Sequence, residues 1–213
     1  MKTSKYLATD MTRKDLSYFI KRDFERKQRW KGWCSPHFMF SALWDESFAF
    51  TLWFRIGSYL SSKKNYFSKV LLLFVKIIYK HIQHSTGIQI PFGTHIGPGL
   101  RFFHYGTIIM AFDTILGENS SIHQGVTIGR VFAGPYAGTP TIGDNVVVFA
   151  GAKILGAVHV GDNAVIGANA VVTRDVPDNC VVAGVPAKVI TTDSSHCFNK
   201  KWGDAFQHGY IDE

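Results

Sequence analysis

The sequence predicts a mainly β fold, a parallel β-helix, preceded by an α-helical region. Three observations carry this. Ile or Val recurs at every sixth position (Ile142, Val148, Ile154, Val160, Ile166, Val172), often followed by glycine (Gly143, Gly161, Gly167). The fourth residue after each aliphatic is small or β-branched: Val146, Ala152, Val158, Ala164, Ala170 and Val176. A helix repeats at 3.6 and a lone strand at 2, so a period of six suits neither. It suits short strands joined by corners, three six-residue sides to a coil, with the aliphatic inside and the small residue at the turn. The third observation is that the same spacing continues upstream with interruptions.

Taken in order, residues 12–30 read as a helix, with Thr12 as N-cap and Leu16, Phe19, Ile20 and Phe24 on one face. A loop around Gly32–Pro36 leads to a second helical stretch near 46–60 and a third near 66–83, ending before Gly87. The division expected is a helical region over 1–87, a β-helix over 88–190 and a polar tail over 191–213. Val176–Ile190 (VPDNCVVAGVPAKVI) closes the solenoid, with Gly184 and Pro186 as turn residues.

The upstream register runs Ile90, Ile96, Phe102, Ile108, then Leu116, Ile122, Ile128. The step from Ile108 to Leu116 places two extra residues near Ala111–Ile115. The longer step from Ile128 to Ile142 contains RVFAGPYAGT (Arg130–Thr139), rich in Gly and Pro, which reads as a loop thrown out from one coil. Loops on a rigid solenoid are common binding elements.

The 213 residues are 46% hydrophobic and 18% charged, enough for a substantial core. Charge is uneven. Residues 1–84 carry 16 Lys and Arg against 6 Asp and Glu, and residues 85–213 carry 7 against 10, which together give the net +7. A basic N-terminal part suits an anionic lipid surface, an acidic glycan, a nucleotide, or plain solvent. Nothing more points to nucleic acid. Cys34, Cys180 and Cys197 have neither metal nor redox spacing, and their odd number argues against a disulfide framework. The N-terminus lacks an apolar signal core. The apolar stretch Tyr66–Ile82 is broken by Lys69, Lys76 and Lys80, against the roughly 20 apolar residues of a membrane span. A cytoplasmic protein is expected, with peripheral contact between its basic helices and the inner membrane left open.

The tract GAKILGAVHVGDNAVIGANAVVTRDVPDNCVVAGVPAKVI resembles the end of a hexapeptide-repeat acyltransferase, and FHYGTIIMAFDTILGENSSIHQGVTIG resembles the serine acetyltransferase-like branch. That branch includes serine O-acetyltransferases and O-acetyltransferases of capsule, O-antigen and exopolysaccharide synthesis. The resemblance covers about residues 88–190. It implies a left-handed β-helix, a homotrimer with active sites between neighbouring subunits, and acetyl-CoA as co-substrate without a metal.

Acetyl transfer from a thioester to a hydroxyl needs a base for the hydroxyl proton, most often histidine. His104 lies two residues after the inward Phe102, and His123 one residue after the inward Ile122. Phe102 and Ile122 are one coil apart, so both histidines should point outward on one side of adjacent coils, about 4.7–4.9 Å apart in strand spacing. The resemblance places His104 on the catalytic histidine, with His123 as second base or acceptor ligand and Gln124 orienting the acceptor. For acetyl-CoA, motif position suggests Gly129, Arg130, Ala150, Gly151 and Ala168, with Arg174 and Lys188 for the phosphates.

Four departures bear on the acceptor. Where serine acetyltransferases carry aspartate before the catalytic histidine, this chain has Phe103, and the aspartate of the preceding coil falls on Gln89. The Arg-His pair before a proline is Gly138 and Thr139 before Pro140. A small zwitterion needs charged partners, and a sugar hydroxyl does not. Phe102, Phe103, Tyr105, Phe112, Phe132 and Tyr136 offer rings for a pyranose, Phe102 itself being core. The expectation is therefore O-acetylation of a surface polysaccharide or its precursor, with Gln89, Phe103, Gln124 and Tyr136 around the acceptor. The alternatives are a serine O-acetyltransferase and, further off, a nucleotide-sugar N-acetyltransferase. A β-helical carbonic anhydrase would need a three-histidine metal set, for which His104, His123 and His159 are the candidates.

Overall fold

The structure is a computed structural model that describes residues 11–27 and 45–197. The expected loop at Gly32–Pro36, with Cys34, lies outside the described residues. Three helices come first. In α1 (Arg13–Lys27) the cap is reciprocal. The Asp15 N–H donates to Thr12 Oγ1 at 3.2 Å and the Thr12 N–H donates to the Asp15 carboxylate at 2.8 Å. Those bonds hold Asp15 below the usual carboxylate range. Helix α2 (Glu46–Ser61) is capped by Asp45, which accepts from the Phe48 N–H. Helix α3 (Tyr66–Thr86) is capped by Asn65 and stops at Gly87, whose φ of 69° puts it in the left-handed region.

From Ile88 the chain winds into a three-sided prism of parallel strands. Face A stacks Ile88–Gln89, Ile108–Met110, Thr127–Gly129, Lys153–Leu155 and Val171–Val172. Face B stacks His95–Ile96, Ile115–Leu116, Thr141–Ile142 and His159–Val160. Face C stacks Arg101–Phe102, Ser121–Ile122, Val147–Val148, Val165–Ile166 and Val181–Ala183, and Lys188–Thr191 then turns back antiparallel to end it. The six-residue ladder from Ile142 to Val172 is inward and at most 1% exposed.

The extra residues of the first coil are not where spacing placed them. Ile108 pairs with Ile88, and Met110 takes the rung opposite Ile128. The long step thus runs from Phe102 to Met110, and the insertion lies at Phe103–Thr107, not at Ala111–Ile115. Alternate residues of a strand share a side, so Ile108 and Met110 both face inward and are both buried; spacing cannot choose between them. Residues 130–139 do leave the coil as a loop, bridged where Val131 and Gly138 exchange backbone hydrogen bonds at 2.8 and 3.0 Å.

The open top of the prism is plugged by α1 and α2. Asp23 and Arg55 form an ion pair at 2.8 Å, both almost fully buried. Arg55 donates to the carbonyls of Ile96 at 2.6 Å and Gly97 at 2.7 Å, while Asp23 accepts from the N–H groups of Gly99 and Leu100, each at 2.8 Å. The first coil has no coil above it to take its backbone groups, and this pair takes four of them. At the other end, Cys197 packs with Phe149 and Val181 against the outward Val147 and Val165 of face C. Cys180 and Cys197 are free thiols.

Candidate active site

The site is built on the edge where face C turns into face A. Successive coils are in register there: the N–H groups of Phe103, His123 and Phe149 donate to the carbonyls of Ile122, Val148 and Ile166. The three rings form a column. Phe103 and His123 stack at 4.4 Å with an interplanar angle of 10°, and His123 and Phe149 at 5.0 Å and 26°. The Arg101 guanidinium lies 4.2 Å above the Phe103 ring, a cation–π contact that heads the column.

His104 is one residue beyond this column. The Gly125 N–H donates to the Gly106 carbonyl at 2.9 Å, so three residues separate Phe102 from Gly106 where only two separate Ile122 from Gly125. The corner is wider in the first coil, and it carries His104 and Tyr105 out to solvent, both exposed. The two histidines thus share an edge as expected, but His123 is level with Phe103 and is clamped between rings. Burial, then the charges of His104 and Arg101, push His123 from 6.5 down to about 4, so it is neutral at physiological pH. Burial lowers Arg101 to about 10, which leaves it charged.

Below His104 the same corner recurs. The Gly151 N–H donates to Gln124 O and the Asn169 N–H to Ala150 O, both at 2.9 Å, so Gln124, Ala150 and Ala168 follow one another down the edge. The ring column meanwhile gives way to Gly167 and Ala183. The result is a track bounded by rings at the top and small residues below, about 19 Å over four coil steps at the usual strand spacing. Lys188, paired with Ala183, stands at its lower end. Gly151 is a backbone device: its φ is +75° and a Cβ there would collide with Asn169.

Other candidates lie elsewhere. Gly129 and Arg130 sit at the edge between faces A and B, where the loop leaves, with Arg130 paired to Asp113 at 3.0 Å. Tyr136 is in that loop, 40% exposed. Arg174 is exposed at the same edge of the last complete coil. Gln89 is on face A beside Ile109, where both line a cavity of about 290 Å³ shared with Lys80, Gln83 and His84 of α3. His159 is on face B, so the three candidate metal histidines do not converge. Among the described residues, no group of three or more His, Cys, Asp or Glu could hold a metal.

Sequence reasoning missed three site residues. Arg101 and Phe149 join the site through ring contacts, the guanidinium over Phe103 and the Phe149 ring on His123, which spacing alone does not show. Lys153 projects outward from face A and donates to Gly125 O at 2.6 Å and Thr127 Oγ1 at 3.1 Å, bracing the corner below His104. A lysine after the GA pair of FAGAK was the only available signal.

Residues 139–174 match the bacterial transferase hexapeptide (six repeats) family. The chain is 39% identical over 145 residues to the serine acetyltransferase of Helicobacter pylori, covering 67% of this chain and 80% of that protein. The chain belongs to the serine acetyltransferase family. It is also 42% identical over 105 residues to the Synechococcus elongatus serine acetyltransferase, of which the match spans only 43%. The Neisseria gonorrhoeae serine acetyltransferase solved with serine aligns over 84% of this chain and 70% of its own at a TM-score of 0.67 and 29% identity. A serine acetyltransferase solved with CoA aligns over 84% and 71% at 0.66 and 29%. The fold is the left-handed β-helix of these hexapeptide-repeat proteins behind an N-terminal helical region.

These likenesses overturn the expected polysaccharide acceptor: the family relatives are serine acetyltransferases across 145 aligned residues. The expectation weighed four motif positions as lost charge. The site has charge of its own in Arg101 and Lys153, neither in the motif. Nor is the ring of Phe103 open for a sugar, since Arg101 and His123 already stack on it.

Proposed function

We propose that this protein transfers the acetyl group of acetyl-CoA to the hydroxyl of L-serine, with His104 as the base. The observation that carries this reading is the widened corner of the first coil. It lifts His104 off a ring-walled edge that continues below as a small-residue track, in a chain of the serine acetyltransferase family. His104 takes the hydroxyl proton as the serine oxygen attacks the thioester carbonyl. The C–O bond forms, the C–S bond breaks, and the proton passes from His104 to the departing CoA sulfur. His123, neutral and held by two rings, offers the acceptor a fixed nitrogen, and Arg101 supplies positive charge for the carboxylate. Ala150, Gly151, Ala168 and Lys188 border the track taken by acetyl-CoA, which is a substrate here.

A homotrimer suits the same geometry. Gly129, Arg130 and Tyr136 lie on a different edge from His104 within one chain, so a neighbouring subunit's loop would bring them to the histidine edge. The test is release of free CoA from acetyl-CoA by the purified protein, with L-serine in one well and other hydroxyl acceptors in the rest. Turnover dependent on L-serine is the expected result. Turnover with another acceptor and none with serine would overturn the reading.

A further inference from the structure

Helix α3 has an outer face that the fold leaves bare. Its inner side is set by Ser68, Val75, Tyr79 and Thr86, all buried, with Tyr79 donating to the Ile90 carbonyl at 2.7 Å and stacking on Phe92 at 4.4 Å. The helix therefore cannot roll to hide its other side. That side carries two neighbouring stripes at helical spacing, Tyr66–Val70–Leu73–Ile77 and Phe67–Leu71–Phe74–Ile78, every member at least 39% exposed. Tyr66 is 83%, Phe67 77% and Ile77 64% exposed, in a helix where a solvated face would be polar.

A third stripe runs along one border of this face: Lys69, Lys76 and Lys80, spaced by seven and four, all exposed. No Asp or Glu occurs anywhere in Tyr66–Thr86, and Lys63 and Lys64 stand just before it. None of the three border lysines has an ion-pair partner among the described residues. No helix among the described residues is long and apolar enough to cross a membrane. An apolar face rimmed by lysine, on a helix about 31 Å long at 1.5 Å per residue, is the arrangement that lies flat in a lipid interface. The rings enter the acyl boundary and the lysines reach back to headgroup phosphates.

We infer that the outer face of α3 docks this protein on an anionic lipid surface. Charge favours this occupant: no Asp or Glu on the helix answers Lys69, Lys76 and Lys80, whereas anionic headgroups answer every lysine. The net positive charge of residues 1–84 adds attraction in the same direction.

The experiment is flotation of the purified full-length protein with vesicles of phosphatidylethanolamine and phosphatidylglycerol, and with pure phosphatidylcholine vesicles, across a salt series. Binding to the anionic vesicles alone, weakening with salt, is expected. Phe74→Ser with Ile77→Ser should abolish it. Lys69→Gln with Lys76→Gln should weaken it about fivefold per lysine, roughly twenty-five-fold in all. All four positions are exposed, so melting and soluble CoA release should be unchanged, which separates this docking from the acetyl-transfer reading. Wild-type protein that stays off anionic vesicles, or binds them no differently after either pair of substitutions, overturns the inference. So does a serine pair that leaves flotation intact and lowers only the mass seen by light scattering, which would make the face a subunit contact.

Discussion

Two edges of the same prism solve the same backbone problem and differ in everything else. On the edge between faces B and C the first coil has Gly99 at the left-handed position, and every later coil has asparagine. Asn119, Asn145, Asn163 and Asn179 all adopt φ of 55–59°, and their amides pass hydrogen bonds from coil to coil at 2.9–3.3 Å. Beside them Asp144, Asp162 and Asp178 each accept from the N–H of the residue one coil above. On the edge between C and A the left-handed position is also kept, by Gly125, Gly151 and Asn169. The residue before it is Gln124 in one coil and alanine, Ala150 and Ala168, in the next two, and the first coil swells to present His104. Where a solenoid repeats a residue, the residue serves the backbone. Where it varies one on an unchanged backbone, the side chain is free for chemistry.

Substitutions should separate the two edges. His104→Ala is expected to cut turnover by ~10²–10⁴, while an exposed side chain at a wide corner leaves the unfolding free energy within about 0.5 kcal/mol of wild type. Steady-state kinetics with denaturant melts check both halves. Near-normal turnover would remove His104 from its role, and a large loss of stability would show that the swollen corner is scaffold after all.

The opposite pattern is expected at Asn145→Ala. Alanine at φ 57° costs about 1–2 kcal/mol. Two amide hydrogen bonds, one from Asn119 and one to Asn163, are lost as well, at about 1 kcal/mol each. The sum is about 3–4 kcal/mol of stability, with kcat per folded molecule unchanged. A variant that melts normally would mean the ladder is decoration.

The same contrast explains what could be read in advance. The inward ladder from Ile142 to Val172 was legible because one side-chain type at one spacing has one geometric solution. So were the helices, through Thr12 and Gly87 at their ends. The insertion was misplaced because Ile108 and Met110 both satisfy the inward pattern, and only pairing with Ile88 and Ile128 decides. That error hid the widened corner that carries His104 to solvent, whereas the ring column, level in either register, rests on side-chain stacking that spacing does not show. The Asp23–Arg55 plug was illegible for another reason: its partners are 32 residues apart in sequence and meet only because the top coil exposes backbone groups. The acceptor was misjudged because motif positions were read as the whole charge of a site that also draws on Arg101 and Lys153.

The smallest effect tests the ring column itself. His123 titrates at about 4 when folded against 6.5 in its ordinary state. Between those values the unfolded chain holds a proton that the folded chain refuses, so this residue's contribution rises with pH through the window and is lost as pH falls. His123 is half-buried, so the contribution, discounted for screening, is about 1 kcal/mol. His123→Phe keeps a ring between Phe103 and Phe149 and removes the proton. Its melting temperature should exceed that of wild type at pH 4, and the excess should shrink as pH rises to 7. Parallel melting curves across that range would mean the imidazole is not desolvated by its neighbours, and the column would then owe its order to packing alone.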